Sequence, residues 1–108
     1  MGYPQGFTYA FGKVEQAIEE LVGKGDIKSR LDTVTKTLAP ISPDDFPEPL
    51  REEYGSISEA LAWIPPEEGS KQGLIDATLE AMAEDEAGSI AERLFSLYLG
   101  AADILRER

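Results

Sequence analysis

Residues 87–105 read Ala87-Gly88-Ser89-Ile90-Ala91-Glu92-Arg93-Leu94-Phe95-Ser96-Leu97-Tyr98-Leu99-Gly100-Ala101-Ala102-Asp103-Ile104-Leu105, and this stretch decides the fold. Wound as an α-helix, it spreads apolar side chains over most of its circumference. A helix that is apolar nearly all round must be covered on several sides. It is therefore either the hub of a helical bundle or one half of a dimer interface. Leu97 and Leu99 point roughly 200° apart, so one neighbouring surface cannot bury both. Gly100, Ala101 and Ala102 are small enough for another backbone to come close. On this reading Leu97, Leu99, Gly100 and Ala101 are the candidate self-association residues of a homodimer. The competing account wraps the helix in the monomer's own chain, with Phe7 and Phe11 on its second side.

The segments upstream carry one apolar face each. Phe7, Phe11, Val14, Ile18 and Leu21 step 4, 3, 4, 3, the spacing of a helix face. Gly23 and Gly25 are expected to end that helix. Asp26 is placed to cap a second one, with Ile27, Leu31, Val34, Leu38 and Ile41 on its buried line and Pro40 at its end. Ser42-Pro43-Asp44-Asp45 has a capping serine, a proline in first position and acids in the first turn, which predicts a short helical turn. A third helix is expected from about Pro49 to Ile64, stopped by Pro65-Pro66. Ser70 opens a further segment carrying Leu74, Ile75, Leu79 and Met82, and Asp85 is expected to cap the last helix. No window alternates with period two, so no strand is expected. The expected fold is all-α: one domain over residues 1–108, a small antiparallel bundle of four main helices plus a short helical turn. Gly55–Leu61 and Gly88–Leu94 share a Gly-Ser-Ile-x-Glu-x-Leu pattern 33 residues apart. Two copies of an amphipathic pattern fall short of a repeat array.

Composition narrows the chemistry. With 42% hydrophobic and 29% charged residues, the 108-residue chain is globular in character. It has no histidine and no cysteine, which removes disulfides, thiol and imidazole nucleophiles, and metal sites built on those ligands. Neither Gly12-Lys13 nor Gly23-Lys24 has the glycine five positions earlier that a phosphate-binding P-loop needs, and Lys28 stands where a dinucleotide fingerprint needs its third glycine. Aligning Gly88 or Gly55 to the invariant glycine of a calcium loop puts Ala83 or Leu50 in the first ligand position and Leu94 or Leu61 in the last. No Ser-x-x-Lys and no Glu-x-x-His motif occurs. The expectation is a non-enzymatic chain with no cofactor and no metal. The amino-terminal residues lack the basic flank and apolar run of a secretory signal, Gly6 breaks the myristoylation pattern, and no run reaches 18 apolar residues. A cytoplasmic location away from membranes is expected.

Charge carries the remaining signal. The formal net charge is −11, which opposes direct contact with nucleic acid or anionic membrane. Residues 1–41 and 87–108 are each balanced, so the whole imbalance lies in residues 42–86, where thirteen acids face only Arg51 and Lys71. A segregated field steers basic partners. Asp44, Asp45, Glu48, Glu52 and Glu53 form the first cluster, and Glu67 and Glu68 follow beyond Trp63, a candidate aromatic anchor. These eight residues are the candidate partner-binding set. The expected function is a protein-interaction module, an adaptor or regulatory subunit. The alternative is an acidic inhibitor that mimics nucleic acid and occludes a basic site, in the manner of antitoxins or phage counter-defence proteins.

Overall fold

The computed structural model describes residues 4–61 and 79–106. Four α-helices of seven or more residues and one 3₁₀ turn account for most of them: α1 (Phe7–Leu21), α2 (Ile27–Leu38), the turn Pro43–Asp45, α3 (Glu48–Leu61) and α4 (Glu84–Arg106). No strand occurs among the described residues, and the fold is a small all-α bundle. Trp63, Glu67, Glu68 and the segment that opens at Ser70 lie outside the described residues, apart from the part of that segment carrying Leu79 and Met82, both buried.

α4 is the hub, packing against α1, α2 and α3. Ala87, Ile90, Leu94, Leu97 and Ala101 form its buried stripe, stepping 3, 4, 3, 4 as a helix face does. α3 runs antiparallel to it. Leu50, near the start of α3, approaches Gly100, while farther along Ser56 Oγ accepts a 2.5 Å hydrogen bond from the Arg93 guanidinium. A Cβ at position 100 would stand 3.3 Å from Leu50 Cδ2, so glycine lets Leu50 settle there. The Gly-Ser-Ile-x-Glu-x-Leu pattern sits on these two facing helices, and in both copies the Ile and Leu are core residues.

α1 turns a slightly different face inward than its large residues suggest. Its fully buried side chains are Phe7, Ala10, Val14 and Ala17, with Leu21 closing the line, and Phe11 and Ile18 are half-buried flanks. Alanine at the closest approach lets the helix axes draw together, and the bulkier residues then close the edges. Phe11 stacks on Tyr98 of α4 at 5.5 Å between ring centroids, covering a second side of the hub. At one end Phe46 is completely buried between Phe7 (6.1 Å, edge-on) and Tyr54 (4.6 Å).

The element boundaries follow local chemistry. The Asp26 carboxylate accepts a 2.9 Å hydrogen bond from the Ser29 N–H and caps α2 as expected. α1 ends with the Val22 and Gly23 N–H groups bonded to Glu19 and Glu20 carbonyls three residues back, and of Gly23 and Gly25 it is Gly25 that takes the positive φ (102°). Arg30 seals that end by donating to the carbonyls of Leu21 and Gly25. The last helix begins earlier than expected. Ala83, not Asp85, occupies the cap position, because the Glu86 carboxylate reaches back 3.0 Å to the Ala83 N–H.

Leu31, Leu61 and Leu94 are each at most 5% exposed. Truncating any one to alanine is expected to cost about 2–5 kcal/mol in urea unfolding, a transfer term plus the cavity left behind. Leu99→Ala, at a half-exposed position, is expected to cost well under half of that. Losses below about 1 kcal/mol at all three buried sites would place the core elsewhere.

Candidate functional site

Five of the six acids of residues 42–61 lie where the 3₁₀ turn leads into the first half of α3, while Glu59 sits in the last turn of that helix. Ser42-Pro43 starts the turn, Pro47 ends it, and the Leu50 N–H bonds back to the Pro47 carbonyl at 2.9 Å as α3 begins. Asp44, Glu48 and Glu52 are exposed and Glu53 is half-buried. None of these four is paired with a base; the ion pairs of the described residues join Asp32 to Lys36 and Asp103 to Arg106. Arg51, a base within this segment, donates a 2.9 Å hydrogen bond to the Phe46 carbonyl and forms no ion pair with these acids. The field of the cluster is therefore not neutralised locally by a guanidinium–carboxylate pair.

Asp45 belongs to the scaffold, not to this surface. Its Oδ2 accepts from the Ser42 N–H at 2.9 Å, closing half of a capping box. Its Oδ1 rests against Gly6, the residue that precedes α1, where a Cβ would lie only 2.6 Å away. A carboxylate at that spot also faces the positive end of the α1 dipole. Beneath it, Tyr54 is almost wholly buried. Burial, with a smaller contribution from the Asp45 charge, pushes the Tyr54 phenol up to about 12.

The self-association set divides in the same way. Leu97 and Ala101 have no exposed surface, and Gly100 is taken up by Leu50, so the chain's own helices use these three. Leu99 remains outside at 49% exposure. The wheel already contains the reason, since residues 97 and 99 lie on opposite sides of the helix. Phe95, 47% exposed, was not singled out by sequence reasoning, although it lies on the Leu99 side. Its ring continues the Phe11–Tyr98 stack, with 6.2 Å between the Phe95 and Tyr98 centroids.

Among the described residues, open hollows flank the bundle, and two of them are well defined. One, of about 330 Å³, is lined by Lys28, Ser29, Asp32, Leu79 and Glu80. The other, of about 190 Å³, lies among Ala60, Met82, Glu86, Ser89, Ile90 and Arg93. Neither coincides with the acidic start of α3. Among the described residues no three acidic side chains converge as a metal site would require, and no helix is long and apolar enough to cross a membrane. The chain matches no known family model, and neither a curated protein nor a solved structure matches it.

The buried phenol makes a pH signature. The folded state holds the Tyr54 proton more tightly than the unfolded chain, whose tyrosine ionises near 10. Its contribution is complete below pH 10 and is lost as pH rises from 10 to about 12. Over that window the wild type is expected to lose on the order of 2 kcal/mol more stability than Tyr54→Phe. Urea midpoints across the window, with the 295 nm absorbance of tyrosinate, check it. Parallel curves for the two proteins would refute the assignment.

Proposed function

We propose that the chain is a non-enzymatic protein-interaction module, an adaptor or regulatory subunit, that engages a basic surface of another protein through Asp44, Glu48 and Glu52. One observation carries the reading. Three exposed carboxylates stand together unpaired, while Arg51, the base within their own segment, is bound to backbone.

Folding does not call for this arrangement. Glu48 in the first turn gains from the α3 dipole, but Glu52 lies a turn too far for that benefit. Glu48 and Glu52 are also like charges at i, i+4, a pairing that costs a helix a few tenths of a kcal/mol. Asp44 makes no bond to the turn it sits in, in contrast to Asp45. A surface that is mildly unfavourable for its own helix is favourable for a cationic partner, whose approach relieves the repulsion and is accelerated by the field. Trp63, Glu67 and Glu68, the other expected members of the set, lie outside the described residues.

The test leaves Asp45 in place, because it caps the turn. Asp44→Lys, Glu48→Lys and Glu52→Lys together are expected to leave the helical circular dichroism unchanged. The same triple variant is expected to lose the proteins that the wild type captures from its native host at low salt. Capture by the wild type should weaken as salt rises. A variant that retains the same partner at wild-type affinity sinks the proposal. Partner release by added DNA or RNA would instead support a nucleic-acid mimic.

A further inference from the structure

We propose that the outer face of α4 docks a second copy of the chain, the two helices running antiparallel about a two-fold axis at Leu99. The face carries Glu92, Phe95, Leu99, Ala102 and Arg106, of which Phe95 and Leu99 are half exposed. Among the described residues no further helix covers them, since α1, α2 and α3 all pack on the opposite stripe or its flanks.

The occupant is argued from the order of these residues. Glu92 and Arg106 lie seven positions before and after Leu99, two turns each way, so all three share one line of the helix. An axis through Leu99 therefore sets Glu92 of each copy beside Arg106 of the other, at both ends of the seam. A parallel pair would instead stack glutamate on glutamate and arginine on arginine. The same register sets the bulky Phe95 against the small Ala102, giving the ring room, and brings the two Leu99 side chains together. Such self-complementarity is what a two-fold interface requires. In the monomer Arg106 pairs with Asp103, an exposed contact of little energetic weight, so exchanging it for Glu92 is inexpensive.

The global charge points to the same face. Two copies of a chain at −11 repel each other. Residues 87–108 are themselves balanced, so the part of α4 beyond its acidic first turn is a surface on which copies can meet without opposing their acidic segments. A stable interface covers about 800 Å² on each partner. Two half-exposed side chains with a polar rim fall short of that, so the dimer is a weak one, formed in the micromolar range.

Sedimentation equilibrium of the full chain, from micromolar to near-millimolar concentration, tests this. The mass is expected to climb from 11.8 kDa toward twice that value. Association should strengthen between about 0.01 M and 1 M salt, as the Debye length falls from about 30 Å to about 3 Å and screens the mutual repulsion. Leu99→Glu is expected to weaken dimerisation more than about tenfold. Glu92→Arg or Arg106→Glu alone should weaken it about threefold to tenfold, each reversal acting at two symmetric contacts. The double swap Glu92→Arg with Arg106→Glu should restore it. Circular dichroism confirms that each variant is folded. A mass fixed at 11.8 kDa overturns the proposal. Dimerisation indifferent to Leu99→Glu, or unrestored by the double swap, overturns it as well.

Discussion

Burial of α4 against three other helices is the constraint on which the rest of the structure depends. A chain of this length has one core, and α4 supplies its axis. Three helices can surround a fourth only if their axes come close, which explains why alanine is used so freely at the centre. Ala10, Ala17, Ala87 and Ala101 have no exposed surface, whereas larger Phe11 and Ile18 sit at the margins. Close approach brings many small dispersion contacts, none of them large alone. At the end formed by the starts of α1 and α3, Phe46 packs between Phe7 and Tyr54.

The acidic side chains separate into two kinds once their partners are known. Asp26, Asp45 and Glu86 each accept a hydrogen bond from a backbone N–H at the start of an element. Glu20 accepts one from the Thr37 hydroxyl across the α1–α2 contact. These are charge-assisted bonds that fix boundaries, and their negative charge is largely committed to the fold. Asp44, Glu48 and Glu52 make no such bond, and they present their charge to solvent at the start of α3. Adjacent residues such as Asp44 and Asp45 can thus do different work. What decides is whether a free N–H lies within reach.

This is also where the sequence was readable and where it was not. Helical periodicity is a local property, so α1 to α4, the Asp26 cap and the 3₁₀ turn at Ser42-Pro43 could all be placed from residue order. The buried stripe of α4 could be placed only in part. Its circumference is apolar on both sides, and which side faces inward depends on helices distant in the chain. Leu97 and Ala101 therefore looked as available as Leu99, and Phe95 escaped notice. The start of α4 was misplaced by two residues because Glu84, Asp85 and Glu86 all suit a first turn, and only geometry selects Glu86 to bond the Ala83 N–H. Within the candidate surface the charge count was legible, but the diversion of Asp45 into capping and of Arg51 onto the Phe46 carbonyl was not. Both depend on where a side chain ends up, which composition does not encode.

The packing of α3 on α4 ties the two proposed surfaces to one another. Leu50 sits between Glu48 and Glu52 in the chain, and Gly100 directly follows Leu99. Their contact is close enough that a single added carbon at position 100 would press on Leu50 at 3.3 Å. The start of α3, with its carboxylates, is therefore held at a set height along α4, beside the residue that centres the apolar seam. Well-packed interiors transmit such displacements because they have little free volume to absorb them. The inward face of α4 thus positions the acids through Leu50, while its outward face holds Phe95 and Leu99 in the open. One helix organises both surfaces, and a change in how tightly α3 seats against Gly100 would move one relative to the other.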